Sequence, residues 1–351
     1  MNEMKKIEIE IENAIYKIIP KNITEKYINE NINNNFYKYD NNAINKALFL
    51  PIRDLLERGG KRWRPKLFLL FLDCFGLQKK AIETYFDISA IIEIIHNGTL
   101  LTDDIEDDAN LRRGKPCIHK MYGNDIAINA GSAMYFLPLK LIEKTHISDK
   151  QKNRLYKAYV DEMNNLSFGQ AIDIFWHKNN IIPNIKEYLQ MCLCKTGALS
   201  SMAVRFASIL AKKQKEEEML FSKAIGHLGV GFQIQDDILD IVSKNRDNFG
   251  KVYGNDITEG KKTLMIIHTY EVANNNDKNK LISILDKHTK NKDEIDDAIK
   301  LLNKYDAINF AKNQARKIAK NAWNEIDIVL KKSKAKQELK NFFDYLIERE
   351  I

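Results

Sequence analysis

The segment from Tyr85 to Asp108, YFDISAIIEIIHNGTLLTDDIEDD, places the strongest constraint on the fold. It contains no proline, and its apolar residues recur at helical spacing until the chain turns acidic. A second segment, from Glu216 to Val242, is also apolar and ends in the same Asp-Asp-x-x-Asp pattern. The sequence therefore predicts two long helices that each end in a cluster of carboxylates.

Helix breakers are scarce along the rest of the chain. Only 6 prolines and 15 glycines occur among 351 residues, of which 44% are hydrophobic. No Val/Thr alternation is long enough to predict a sheet, so we expect an all-α fold. No linker is long enough to force a domain boundary. We expect one domain over 1–351, with a variable Asn-rich helical region over 1–45, a catalytic core over 46–270 and C-terminal helices over 271–351.

Composition also excludes several classes of protein. The net charge of +7 is mild and the charges are mixed, which does not indicate nucleic-acid binding. The four cysteines form no metal-type CxxC pair, which favours reduced thiols in a cytoplasmic protein. The N-terminus lacks the apolar core of a signal peptide, and no apolar run is long enough for a transmembrane segment.

The two acidic motifs suggest metal binding. Asp103 and Asp107 lie four residues apart and share one helix face, and Asp237 and Asp240 do likewise at three residues, next to Asp236. Clustered carboxylates repel one another unless a cation neutralises them. Mg²⁺ is the hard cation that combines carboxylates with phosphate oxygens and water. A solvated acidic face is the alternative, but it is less favoured for two motifs that each follow an apolar run.

Basic residues accompany the acidic motifs. Arginine suits bidentate contact with phosphate, and lysine supplies a point charge. The pattern predicts two anionic substrates, one held through metal and one held directly. The basic residues are Lys61, Arg62 and Arg64 in GGKRWRP, Arg112 and Arg113 in LRRGKP, Lys195 in CKTG, and Lys251 and Lys261 in GKVYGNDITEGKK.

Taken together, these motifs resemble those of the trans-isoprenyl diphosphate synthases. GGKRWRP, HNGTLLTDDIEDDANLRRGKP, GQAID, CKTG and GFQIQDDILD occur in the family's order and spacing, from about Ala47 to His268. The first acidic motif and GQAIDIFW look most like eukaryotic geranylgeranyl diphosphate synthases. The resemblance implies a helical bundle around a deep central cavity with two facing Asp-rich motifs. It also implies a homodimer that uses Mg²⁺ and small isoprenyl diphosphates.

The resemblance further implies roles for individual residues. Metal ligation or its support is implied for Asp103, Asp107, Asp173, Asp236 and Asp240. Contacts to the allylic substrate and its diphosphate are implied for Arg112, Lys195, Thr196, Gln233, Lys251 and Lys261. The isopentenyl diphosphate site is implied for Lys61, Arg64, His96 and Arg113.

Two small residues bear on product length. Gly98 and Thr99 precede Asp103 by about one helical turn, roughly 5 Å. We expect the growing chain to run along this face, and residues of this size leave space for it. The sequence therefore predicts geranylgeranyl diphosphate as the product, with some farnesyl diphosphate. Thr196-Gly197, inside another predicted helix, is expected to loosen that helix locally.

Three alternatives remain at this point. A longer-chain polyprenyl diphosphate synthase would share every motif. A non-catalytic helical subunit of a heteromeric synthase would tend to lose some of the charged motif residues, and all of them are present here. A terpene cyclase would lack GGKRWRP, so this interpretation is weak.

Overall fold

Residues 3–32, 36–179, 181–242 and 254–348 are described by a computed structural model. The chain divides into two compact units, with the division between Leu155 and Tyr156. Nearly all regular structure in the described residues is helical, which confirms the predicted all-α class. Among these residues, no helix is both long enough and apolar enough to cross a bilayer.

The first unit is built from ten described helices, a π-helical turn at Asn45–Phe49 and a 3₁₀ turn at Leu137–Leu139. The helices are α1 (Glu3–Ile18), α2 (Glu25–Asn31), α3 (Asn41–Ile44), α4 (Leu50–Glu57), α5 (Trp63–Cys74), α6 (Lys79–Glu83), α7 (Phe86–Glu106), α8 (Ile118–Tyr122), α9 (Asn124–Phe136) and α10 (Lys140–Lys144). A short antiparallel ribbon, β1 (Leu111–Arg112) and β2 (Lys115–Pro116), is the departure from the expected helices and loops.

Helix α7 forms the core of the first unit. Its residues from Ile88 to Ile95 are buried on every side, as expected for a helix that is apolar all round. Helices α1, α5 and α9 pack against it. The predicted helix from Tyr85 to Asp108 is thus confirmed to within two residues at each end. It carries the first acidic motif at its C-terminal end.

The second unit also consists of helices. They are the later part of α11 (Asp149–Lys178), then α12 (Ile185–Cys192), a π-helical turn (Leu193–Gly197), α13 (Ala198–Leu210), α14 (Lys215–Val242), α15 (Asn255–Thr258), α16 (Leu264–Val272), α17 (Asn275–Asp286), α18 (Lys292–Lys304), α19 (Ala307–Asp327) and α20 (Lys334–Glu348). Helix α14 is the central element. It packs between α13 and α19 and carries the second acidic motif.

A buried ion-pair network lies within the second unit. Arg205 donates hydrogen bonds to Asp161 at 2.9 Å, to Glu162 at 2.8 Å and to Glu218 at 3.0 Å. We call these four residues the Arg205 cluster. Its carboxylates outnumber its guanidinium, and bonds to Glu162 and Asp161 raise the pKa of Arg205 although burial alone would lower it. The cluster joins three helices of the unit, α11, α13 and α14.

Candidate active site

The first acidic motif separates buried from accessible carboxylates. Asp103 and Asp107 are half-buried at the end of α7, whereas Asp104 is fully buried. Arg112 donates to Asp104 Oδ1 through Nε at 2.8 Å and also through Nη2. Burial raises the pKa of Asp104, and the Arg112 guanidinium opposes that shift. Asp104 is therefore already bound by Arg112, whereas Asp103 and Asp107 are the members of the motif that solvent can reach.

The ribbon turn separates the two adjacent arginines. Arg112 is the last residue of β1, and Arg113 begins the turn with a φ of +52°, followed by Gly114 at +74°. Two consecutive residues in the left-handed region form the tight turn that joins antiparallel strands. Arg112 contacts the acidic motif, whereas Arg113 donates to the carbonyl of Leu55 at the end of α4. The two adjacent guanidiniums thus bind different elements, the first acidic motif and the end of α4.

The GGKRWRP loop receives Arg113. Gly60 has a φ of +146°, and a Cβ added there would lie 3.0 Å from Arg113 Nη2, so the glycine makes room for the guanidinium. Lys61 is exposed on this loop. Arg64 is 7% exposed, and its guanidinium stacks on Trp63 at 4.3 Å from the ring centre. No described residue accepts a hydrogen bond from Arg64 Nε.

A single buried carboxylate accompanies these arginines. Glu93, one turn before His96 on α7, accepts from Arg62 Nη1 at 2.7 Å and from Asn97 Nδ2 at 2.8 Å. We call Arg62, Arg64, Arg113 and Glu93 the Glu93 cluster. Burial lowers the pKa of Arg64 and that of Arg113 to about 10, and Glu93 opposes both shifts.

His96 borders the Glu93 cluster and is half-buried. Burial and the neighbouring guanidiniums, Arg64 first, hold its pKa well below the usual value. At neutral pH His96 is therefore a neutral imidazole, which can donate a hydrogen bond without adding charge. The structure thus brings together Arg64, His96 and Arg113, three of the four residues for which the resemblance implies the isopentenyl diphosphate site.

The second acidic motif is held by a chain of hydrogen bonds. Tyr188 donates to Asp237 Oδ2 at 2.8 Å, Gln233 donates to Asp237 Oδ1 at 2.7 Å, and Thr196 donates to Gln233 at 2.7 Å. Asp236, beside Asp237, is half-buried. The chain links two predicted site residues, Thr196 and Gln233, to this motif.

Asp240 follows Asp237 by about one turn of α14 and is buried, and its side chain binds a backbone group. Its Oδ2 accepts the N–H of Asp256 at 3.0 Å, which attaches the start of α15 to α14. Lys261, just after α15, forms an ion pair with Glu259, and its Nζ lies 4.0 Å from Asp256. Lys251, which the sequence also assigned to this site, lies outside the described residues.

Lys195 and Thr196 lie on the π-helical turn, which confirms the predicted loosening of this helix. Lys195 donates to Asp173 of α11 at 2.6 Å. A Cβ added at Gly169 would lie 2.3 Å from the backbone nitrogen of Lys195, a distance that real Cβ atoms do not show. Gly169 therefore lets α11 approach the turn closely enough for Asp173 to reach Lys195.

Gly98 has a packing role that the sequence did not reveal. A Cβ added there would lie 2.9 Å from Met134 Cβ and 3.1 Å from Tyr135 Cε1. Helix α9 thus fills the space that Gly98 leaves, so the expectation of open space at this residue is revised. The Tyr135 hydroxyl lies 3.0 Å from Thr102 Oγ1, and Thr99 is half-buried one residue after Gly98.

Four residues that form these contacts were not predicted from the sequence. They are Glu93, Asn97, Tyr135 and Tyr188. Glu93 had a usable signal, because it is a lone acidic residue inside the apolar run IIEIIH. A buried charge needs a partner, so an isolated glutamate in a core helix predicts a nearby cation. The two tyrosines and Asn97 had no comparable signal.

The acidic residues are suited to a metal ion that is coordinated partly by the protein and partly by a bound diphosphate. Within the described residues, no group of three or more His, Cys, Asp or Glu side chains could hold a metal by itself. Mg²⁺ commonly takes one or two carboxylates and completes its octahedron with water and phosphate oxygens. The half-buried Asp103 and Asp107 in the first unit, and separately the half-buried Asp236 in the second, are suited to that kind of incomplete protein site.

Comparison with known proteins identifies the family. The family model for polyprenyl synthetase matches residues 45–302. The chain is 34% identical to the short chain isoprenyl diphosphate synthase of Methanocaldococcus jannaschii over 81% of this chain and 83% of that protein. It is 31% identical to the geranylgeranyl diphosphate synthase of Sulfolobus acidocaldarius over 88% and 93% of the two chains.

A solved structure shows the same fold. The crystal structure of geranylgeranyl pyrophosphate synthetase from Pyrococcus horikoshii matches with a TM-score of 0.83 and 30% identity, over 99% of this chain and 97% of that one. The resemblance drawn from the motifs is therefore confirmed at the level of family and fold. The chain belongs to the polyprenyl synthetase family and is a prenyltransferase.

Proposed function

We propose that the protein is a Mg²⁺-dependent geranylgeranyl diphosphate synthase. It condenses isopentenyl diphosphate head-to-tail with dimethylallyl, geranyl or farnesyl diphosphate, and it releases some farnesyl diphosphate. Relatives named as geranylgeranyl diphosphate synthases, at about 30% identity, support this choice of product.

The observation that carries the proposal is the separation of Arg112 from Arg113. Arg112 bonds to the acidic motif, and the next residue, Arg113, belongs to the Glu93 cluster. A metal-dependent diphosphate site and a direct, cationic one are therefore built from neighbouring residues of one turn. Condensation of two diphosphate substrates requires that their reacting carbons be held side by side.

Each part of the site has a chemical role in this proposal. Asp103 and Asp107 in the first unit would hold Mg²⁺, and Asp236 is a further candidate ligand in the second unit. The metal, when bound, neutralises the diphosphate that leaves the allylic carbon. Lys195 and Lys261, in the second unit, supply positive charge of the kind that stabilises a departing diphosphate. Arg64, Arg113 and Lys61 bind the second diphosphate, and neutral His96 donates a hydrogen bond to it.

The Thr196–Gln233 pair is suited to the allylic carbocation. Its oxygen atoms belong to neutral groups, so they can face a cation without forming a bond to it. Asp237 and Tyr188 fix their orientation through the hydrogen bonds already described. A proton leaves the isopentenyl-derived carbon in the last step, and the released diphosphate is the base that we propose for it.

Product chromatography tests the proposed function. Purified protein is given Mg²⁺, labelled isopentenyl diphosphate and each allylic starter in turn. We expect geranylgeranyl diphosphate as the main product and none when EDTA removes the metal. Longer products would favour a polyprenyl diphosphate synthase. No product from any starter would favour the non-catalytic subunit.

Product length depends, in this proposal, on Thr99 and on Tyr135 of α9. Tyr135 is half-buried beside α7, and its hydroxyl lies against Thr102, just before the acidic motif. We expect Tyr135→Ala to lengthen the products and Thr99→Phe to shorten them to farnesyl diphosphate. Asn129→Ala, on the exposed face of α9, is the matched control. Unchanged product length in both variants would refute these roles.

We also propose a homodimer. Helix α11 exposes Val160, Phe168 and Phe175, which are 51%, 66% and 55% accessible and follow one another after eight and seven residues, about two helical turns. A repeated apolar row of this kind marks an interaction surface. Phe168→Lys should convert a dimer to a monomer in analytical ultracentrifugation, while Ile328→Lys, at another exposed apolar position, should not. The cytoplasmic location and the absence of a nucleic-acid partner stay predictions.

A further inference from the structure

Glu93 is held more firmly than its solitary place in an apolar helix suggests. Its side chain is buried, and its Oε1 accepts from both Arg62 and Asn97. Arg62 is also buried, at the start of α5, with a φ of +49° and a second bond to the carbonyl of Leu56 at 2.9 Å. The Arg62–Glu93 pair therefore fixes the loop that carries Lys61 and Arg64.

The charges around this pair do not balance. Three guanidiniums, those of Arg62, Arg64 and Arg113, share one buried carboxylate. The neighbouring Arg58 and Arg112 have their own partners, Asp54 and Asp104. His96 is neutral.

Acidic residues on other elements lie farther out. Glu12 of α1 and Glu57 of α4 line a cavity of about 190 Å³ that Arg62 also borders, and both are exposed to solvent, which screens them. The interior of the Glu93 cluster thus keeps a surplus of positive charge.

We propose that Glu93 is a positioning residue that offsets Arg62, so that Arg64 and Arg113 remain for a diphosphate bound without metal. The inference rests on the proposed function in one respect, because it takes the Glu93 cluster to be the direct diphosphate site. Glu93 sets the affinity of that site through charge and not only through shape.

This role has a thermodynamic consequence. Without an anion, Glu93 is the buried carboxylate that offsets the three guanidiniums, whereas a bound diphosphate supplies negative charge of its own. Removing the charge of Glu93 should therefore destabilise the diphosphate-free protein more than the bound form. Because stability and binding are linked, the variant must then bind diphosphate more tightly. A residue with only a structural role would destabilise both forms equally.

The test uses the full-length protein and inorganic diphosphate, with EDTA present so that only the direct site is observed. Thermal unfolding is followed during the titration for the wild type, Glu93→Gln and Arg62→Gln. Gln can still accept both hydrogen bonds of Glu93, so that variant changes mainly the charge. We expect Glu93→Gln to bind at least about fivefold more tightly and Arg62→Gln at least about fivefold more weakly.

The opposite signs keep the proposal falsifiable if one variant fails to fold. Glu218→Gln is the matched control, because it removes an equally buried carboxylate from the Arg205 cluster, where one guanidinium meets three carboxylates. Its diphosphate affinity should equal that of the wild type. Affinity that is unchanged or weaker in Glu93→Gln, or unchanged or tighter in Arg62→Gln, would overturn the proposal. A wild type that shows no diphosphate-dependent shift would instead refute the direct site.

Discussion

The Arg205 cluster and the Glu93 cluster both bury arginine with carboxylate, yet they are built in opposite proportions. Arg205 meets three carboxylates, and the pKa of its guanidinium is raised. In the Glu93 cluster three guanidiniums meet one carboxylate, and the pKa of Arg64 is lowered to about 10.

The difference distinguishes an ion-pair network that stabilises a fold from one that is prepared for a ligand. A guanidinium surrounded by carboxylates is well provided with acceptors, and each of the three nitrogens of Arg205 donates to one of them. A surplus of buried guanidiniums is unfavourable until an anion arrives, and such local destabilisation is characteristic of binding sites. The ratio of cation to anion, more than burial, therefore indicates which cluster binds.

The largest effect is expected from Arg205→Met. Removing this arginine leaves Glu162 buried without its cation and Glu218 with only the partly exposed Lys215, which should lower the free energy of unfolding by about 3–5 kcal/mol. Denaturant unfolding measures this loss. Arg316→Met is the control, because Arg316 pairs with Glu348 at the surface and should cost at most about 1 kcal/mol. Equal losses in the two variants would contradict the structural role of the Arg205 cluster.

A smaller effect of a different kind is expected from Arg64→Met. The variant removes a buried guanidinium from the cluster where cations are in excess, so its free energy of unfolding should change by less than about 1 kcal/mol. Its KM for isopentenyl diphosphate should rise about 30-fold or more, because truncating one partner of a buried charge pair costs at least about 2 kcal/mol. Steady-state kinetics with each substrate varied in turn measure this change.

Lys66→Met is the control for Arg64→Met. Lys66 lies two residues further along α5 and pairs with Glu8 away from the cluster. Its removal should leave the KM for isopentenyl diphosphate unchanged. If Arg64→Met destabilised the protein as strongly as Arg205→Met while KM stayed constant, the contrast between the two clusters would fail.

The smallest effect concerns His96 and pH. Its folded pKa is depressed, so below the ordinary value of about 6.5 the unfolded chain binds a proton that the folded protein does not. Stability should therefore be unaffected above that pH and should fall as the pH drops further, by at most about 1.4 kcal/mol per unit. His96→Asn should have a shallower loss between pH 6.5 and 5 in denaturant unfolding. Parallel curves would show that His96 does not titrate as expected.

The helical class and the paired motifs could be predicted from the sequence because both depend on local spacing. Apolar periodicity predicted α7 and α14, and the motif order predicted the family. The grouping of Arg64, His96 and Arg113 followed from the resemblance. The tight turn at Arg113 was harder to predict from the sequence, because Gly114 alone indicates its geometry.

The remaining features depend on contacts between distant segments. Gly98 leaves a gap in a helix surface, and only the position of α9 shows that Met134 and Tyr135 fill it. Tyr188 lies 49 residues from Asp237, so no local pattern predicts their hydrogen bond. The same holds for Arg62 and Glu93, which are 31 residues apart.

The π-helical turn at Leu193–Gly197 amounts to one extra residue in an otherwise regular helix. Each residue advances a helix by about 100°, so an extra one lets the segments on either side keep independent orientations. Tyr188, before the turn, can therefore face Asp237, while α13, after the turn, packs against α14 in a different rotational orientation. Deletion of a single residue within the turn would restore a regular helix and rotate one of these faces away. In this helix, insertions and deletions are therefore less tolerable than most substitutions, and length is as much a part of the site as residue identity.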